Sequence, residues 1–110
     1  MKRKQKKITE QEAQLARFAK AIGHHNRIAI LKFLASQDSC FFGDIQKELL
    51  LPISKATVSQ HLKQLKEAGL IQGEILPPKV KYCINPANWE IAKKLFIDLL
   101  GGCSNCKYDC

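Results

Sequence analysis

Four stretches of the chain space their apolar residues as a helix does, one is apolar nearly all round, and two alternate them as strands do. The first stripe is Leu15, Phe18, Ala19 and Ile22, the spacing of a helix with one buried face. Ahead of it Thr9 and Glu12 make a capping box, and Glu10 and Glu12 sit at the positive end of the helix dipole; Gly23 closes the segment. His24 to Leu34 is apolar on nearly all sides after Arg27, which predicts a helix buried between neighbours. After a turn at Ser36–Ser39, the run from Cys40 to Leu50 reads as a third helix, with Asp44 near its start and Ile45, Leu49 and Leu50 facing inward.

Pro52 cannot continue that helix, and Ser54 is a good N-cap, so a fourth helix of about fourteen residues should run from Lys55 to Gly69. Its apolar face is Val58, Leu62 and Leu65, and Ile53 is expected to plug the turn before it. The period then changes to two. Leu70 to Leu76 and Val80 to Ile84 predict a hairpin with Pro77–Pro78 at its tip, Val80, Tyr82 and Ile84 on one face and Lys79, Lys81 and Cys83 on the other. Asn85–Pro86 starts the last helix by two signals, an amide N-cap and a proline in the first turn. Trp89, Ala92, Leu95, Phe96 and Leu99 form its stripe, and Gly101–Gly102 stop it. That helix is more hydrophobic than one intramolecular surface needs.

At 110 residues the chain is long enough for one domain with one modest core. Its net charge of +8 points to a polyanionic partner. Five of the positive charges fall in the first seven residues, leaving 13 positive and 10 negative side chains, or +3, for the rest. Residues 1–7 therefore read as a basic disordered arm that either touches DNA or serves as a solubilising end. Residues 8–102 read as the folded domain and residues 103–110 as a cysteine-rich tail. No apolar run follows the basic start and no stretch reaches membrane-spanning length. The expectation is a cytoplasmic protein whose five cysteines are thiols and not a disulfide framework.

On the fourth helix, the face opposite Val58, Leu62 and Leu65 carries Ala56, Gln60 and Lys63, with Ser59 at its edge. Small, amide, hydroxyl and cationic groups suit a helix in a major groove, since amides and hydroxyls pair with base edges and lysines meet phosphates. An ordinary amphipathic helix would have the same periodicity. The order of residues is more specific. Ser54-Lys-Ala-Thr-Val-Ser-Gln-His-Leu-Lys-Gln-Leu-Lys-Glu-Ala-Gly-Leu-Ile71 closely resembles the recognition helix of ArsR-type winged helix-turn-helix repressors, whose pattern is near S-x-x-T-V-S-x-H-L-x-x-L-x-x-A-G-L-V. The run from His24 to Leu34 resembles the same family's D-x-x-R-h-x-I-L-x-x-L segment.

The resemblance implies a mainly α fold with a small β-hairpin wing, in the order helix, helix, helix, helix, strand, strand, helix. It also implies a homodimer through the first and last helices. Two recognition helices would then meet successive major grooves of an imperfect inverted-repeat operator in double-stranded DNA, about 34 Å apart. Lys55, Ser59, Gln60 and Lys63 are the expected DNA contacts, Thr57 and His61 sit at the boundary, and Lys79 belongs to the wing. With only Lys79 and Lys81 beside Glu74, that wing should grip fewer phosphates than is usual in the family. Leu51-Pro52-Ile53 replaces the family's more usual L-G-L-S turn. No glycine-rich phosphate loop, paired acid and base, or neighbouring Cys/His pair suggests an enzyme.

Cys103, Cys106 and Cys110 lie within eight residues. Three thiols without histidine suit a soft ion, and Lys107 and the positive protein favour the thiolate form. By analogy with arsenite-responsive members of the family, they are assigned trivalent arsenic or antimony. Zinc is an alternative if Asp109, Cys83 or a neighbouring protomer adds a fourth ligand, and cadmium or lead would accept much the same set. The thiols are alternatively redox or persulfide sensors with Cys40 as a distant partner, or an uninvolved tail. The family's other ligand positions do not transfer. Ser39-Cys-Phe-Phe-Gly-Asp-Ile45 stands where E-L-C-V-C-D-L would be, and residues 86–100 contain no histidine. His24 and His25, adjacent on a helix, point about 100° apart and cannot both face one ion.

Overall fold

The computed structural model describes residues 9–76 and 79–102. The basic arm 1–7, the Pro77–Pro78 tip and the tail 103–110 lie outside the described residues. In order the elements are α1 (Glu10–Ile22), α2 (His25–Ala35), β1 (Phe41–Phe42), α3 (Ile45–Leu49), α4 (Lys55–Glu67), β2 (Ile71–Leu76), β3 (Lys79–Ile84) and α5 (Pro86–Leu100).

Helix starts fall where the capping residues stand. The Thr9 hydroxyl accepts from the Glu12 N–H at 3.1 Å while the Glu12 carboxylate accepts from the Thr9 N–H at 3.0 Å. Ser54 Oγ takes the Thr57 N–H at 3.1 Å, and Asn85 Oδ1 takes the Asn88 N–H at 3.1 Å. Such a cap stabilises a helix by about 1 kcal/mol. The core forms where α1, α2, α4 and the first residue of β2 meet, with Phe18, Ile30, Leu65, Leu70 and Ile71 fully buried. Burying each stabilises the fold by roughly 1.5–3 kcal/mol. α5 packs back on α1 and adds Ala92 to this core.

The segment expected as one helix from Cys40 to Leu50 is instead a strand followed by a five-residue helix. Gly43, at φ +143°, breaks the path between them, and Asp44 caps α3 by accepting the Lys47 N–H at 3.2 Å. Phe41 turns its ring edge-on to Phe33 at 4.9 Å between centroids, a favourable aromatic geometry. The predicted hairpin is consequently a three-stranded antiparallel sheet in the order β1-β3-β2. Phe41 and Phe42 face Tyr82 and Lys81 across one side of β3, and Ile71 through Leu76 face Ile84 through Lys79 across the other. The cysteine expectation is corrected as well: Cys40 and Cys83 are joined in a disulfide. Neither is a free thiol, because the unforeseen strand β1 brings Cys40 beside Cys83.

Both helices of the helix-turn-helix end in the same pair of hydrogen bonds. At the end of α4, the Leu70 N–H reaches Leu65 O and the Gly69 N–H reaches Lys66 O; at the end of α3, the Leu51 N–H reaches Gln46 O and the Leu50 N–H reaches Lys47 O. This closure needs a left-handed residue. Gly69 supplies it for α4 at φ +87°, and Leu50 supplies it for α3 at φ +52°. Leu50, expected to face inward, is 85% exposed. The turn's left-handed position therefore falls on a leucine two residues before the proline.

Candidate nucleic-acid interface

α4 buries Val58, Leu62 and Leu65 and leaves Lys55, Ala56, Thr57, Ser59, Gln60, Lys63 and Gln64 exposed. The exposed face carries no carboxylate before Glu67. Three contacts fix its position. The Lys55 ammonium lies 3.1 Å from Asp44 Oδ2 and so bridges the starts of α4 and α3. The Gln46 amide donates to Ile53 O, which clamps the turn. The Thr57 hydroxyl lies 3.0 Å from Ser54 Oγ, inside the cap. The Lys55 hydrogen bond, followed by the Lys47 N–H, holds the Asp44 carboxyl below its ordinary value. Being largely exposed, this ion pair contributes more to register than to stability.

His61, expected at the boundary with DNA, lies inside the protein. It is 6% exposed, and its Nδ1 accepts from Arg27 Nε at 3.0 Å. Arg27 Nη1 also donates to Ala21 O at 3.2 Å, so one guanidinium ties the end of α1 and α2 to the recognition helix. Burial first, then the charges of His24, Arg27 and His25, pushes the His61 pKa down. A neutral ring with an acceptor at Nδ1 fits an arginine donor. The spacing of Arg27 and His61 gave no sign that they meet, nor did anything mark Gln46 as the clamp. Lys79 pairs through its backbone with Leu76, and the Lys81 ammonium stands 5.7 Å from the centre of the Phe42 ring.

Residues 22–74 match the helix-turn-helix domain family, a segment that runs from the end of α1 into the first wing strand β2. The chain has the ArsR-type winged helix-turn-helix fold. An ArsR-like transcriptional regulator from Rhodococcus sp. RHA1 superposes with a TM-score of 0.64 at 21% identity, covering 86% of this chain and 85% of that one. Reduced HlyU from Vibrio cholerae N16961 gives 0.61 at 25% identity, covering 83% and 92%. A possible transcriptional regulator for arsenical resistance gives 0.62 at 23% identity, covering 78% and 82%. No curated protein matches the sequence. In that fold α4 is the second helix of the helix-turn-helix.

Among the described residues, no three His, Cys, Asp or Glu side chains are grouped to hold a metal ion. Cys103, Cys106 and Cys110 lie outside the described residues. Cys83, considered as a fourth zinc ligand, is taken up by its bond to Cys40. The described helices include none long and apolar enough to cross a membrane.

Proposed function

We propose that the protein is a homodimeric, cytoplasmic repressor that holds an imperfect inverted-repeat operator through α4. It releases that operator when trivalent arsenic or antimony binds Cys103, Cys106 and Cys110. The observation that carries the DNA-contact part of this reading is the exposed face of α4. Ser59, Gln60 and Lys63 are exposed, while Val58, Leu62 and Leu65 on the opposite face are buried in the core. Lys55 and Thr57 border that face, and Lys79 extends the contact into the wing. The dimer is supported by α5, where Ile91, Ile97, Leu99 and Leu100 are 40%, 60%, 60% and 73% exposed. A row of uncovered aliphatic side chains beside α1 suits a second copy of the same surface. An ion drawing the tails together would shift α1 against α5 and change the separation of the two recognition helices. A coupling of about 2–3 kcal/mol lowers DNA affinity roughly 30- to 150-fold.

Gel shifts on the DNA upstream of the gene test both halves. Gln60→Ala should relax sequence preference, whereas Lys63→Ala should weaken binding to all sequences and reduce the salt slope by about one. Arsenite should release the wild-type complex. If Cys103→Ser, Cys106→Ser and Cys110→Ser all still responded to arsenite, the inducer assignment would fail. A second reading, a thiol redox-responsive regulator of the same fold, is favoured by the Cys40–Cys83 bridge.

A further inference from the structure

The β1–β3 register runs Phe42 opposite Lys81 and Phe41 opposite Tyr82, and one step further along it sets Cys40 opposite Cys83. Their Cα atoms are 4.4 Å apart. In an antiparallel ladder, directly opposed residues alternate between hydrogen-bonded pairs about 5.5 Å apart and non-hydrogen-bonded pairs about 4.5 Å apart. Cys40 and Cys83 occupy the second kind of position, where side chains on one face come closest. The sheet therefore brings the two sulfurs together in the reduced protein too, and closing or opening the bond requires no strand to slide.

Two further observations bear on what such a bond does. Both cysteines are half-buried, and the bond sits between two clefts. One, of about 450 Å³, is lined by Leu34, Ser39, Gln72, Pro86 and Trp89; the other, of about 400 Å³, by Gln72, Gly73 and Lys81. Either cleft admits a molecule of small-peptide size. β1 is only two residues long, and it leads directly to Asp44, the cap of α3 and partner of Lys55. The disulfide is thus a covalent tie between the wing strand β3 and the segment that positions the recognition helix. A protein acting on DNA inside a cell meets an excess of small thiols, where disulfides are usually transient.

We propose that Cys40 and Cys83 are a redox-active pair, oxidised by low-molecular-weight disulfides and reduced by the matching thiols, whose oxidised form binds DNA more tightly. This rests on α4 and the wing as the DNA-binding surface. In the oxidising direction one cysteine thiolate attacks a sulfur of the small disulfide, expelling one thiolate and leaving a mixed disulfide. The second cysteine thiolate attacks the protein sulfur of that bond and expels the other. The two protons lost by the cysteines end on the two released thiols, so one small disulfide yields two small thiols and one protein bridge. Oxidation fixes the wing to the helix-turn-helix before DNA arrives, which removes an ordering step from binding. The edge-on contact of Phe41 with Phe33 does not involve the sulfurs, so reduction should loosen the wing and leave the fold.

The experiment equilibrates the full chain in buffers of reduced and oxidised glutathione, traps thiols by alkylation, and reads the peptides containing Cys40 and Cys83 by mass. Affinity for the upstream DNA is measured in the same buffers. The pair should pass from fully alkylated to fully bridged without unfolding, with affinity rising about 5- to 10-fold in step. A Cys40→Ser/Cys83→Ser variant should stay at the reduced value throughout. A bridge that resists glutathione in the folded protein, or equal affinities at the two extremes, would overturn the proposal. Complete exchange with promoter binding in neither state would overturn the affinity claim and would trace the failure to the DNA-binding reading.

Discussion

The ends of α3 and α4 use one hydrogen-bond scheme with two different residues at its left-handed position. At Gly69 the backbone conformation carries little penalty, and the carbonyl is used again: Asn88 Nδ2 from α5 donates to Gly69 O at 2.9 Å. A Cβ on Gly69 would lie 2.7 Å from that same Nδ2. At Leu50 the same conformation places Cβ against the following carbonyl, a penalty of roughly 1–2 kcal/mol, and leaves a leucine side chain in water. The C-terminal end of the recognition helix is therefore locked to the next element, while the positioning helix ends in a strained turn held by Gln46 and by the Asp44–Lys55 pair. Rigidity is concentrated on the element that would meet the bases, and the connection before it carries the strain.

Substitution at the two positions should give effects of opposite sign. Gly69→Ala is expected to lower stability by about 2–3 kcal/mol in urea unfolding, combining backbone strain with displacement of the Asn88 hydrogen bond. Leu50→Gly should raise it by about 1 kcal/mol, and a loss there would show that the exposed leucine side chain holds a contact of its own. The smallest effect belongs to Asp44→Asn. A carboxyl whose folded pKa is depressed stabilises the fold above its unfolded value, and that contribution is lost as pH falls through the folded value. The Asn variant should accordingly be the less stable at pH 7 and match the wild type once the pH is well below 3.8, the ordinary value for this group. An unchanged difference at low pH would remove Asp44 from the account of the turn.

The limits of the helices were legible wherever a cap announced them: Thr9 with Glu12, Ser54, and Asn85 with Pro86 each bond as their spacing predicts. The fourth helix was legible twice over, from its apolar period and from its ordered motif. What failed was the stretch from Cys40 to Asp44. Two phenylalanines in a row fit a helix or a strand, and the choice was made by a partner strand forty residues away and by Phe33. Because β1 was missed, the meeting of Cys40 with Cys83 was missed with it. His61 illustrates a second limit: a polar residue at the edge of a helical face is assigned outward by periodicity, and only Arg27 from α2 turns it into an interior group.

Trp89 is the chain's single tryptophan, and it lines the cleft that the Cys40–Cys83 bond closes on one side. An excited indole transfers an electron readily to a neighbouring disulfide and goes dark. Its emission should brighten when the bond opens, which would make the wild-type molecule an optical gauge of its own oxidation that needs no added dye.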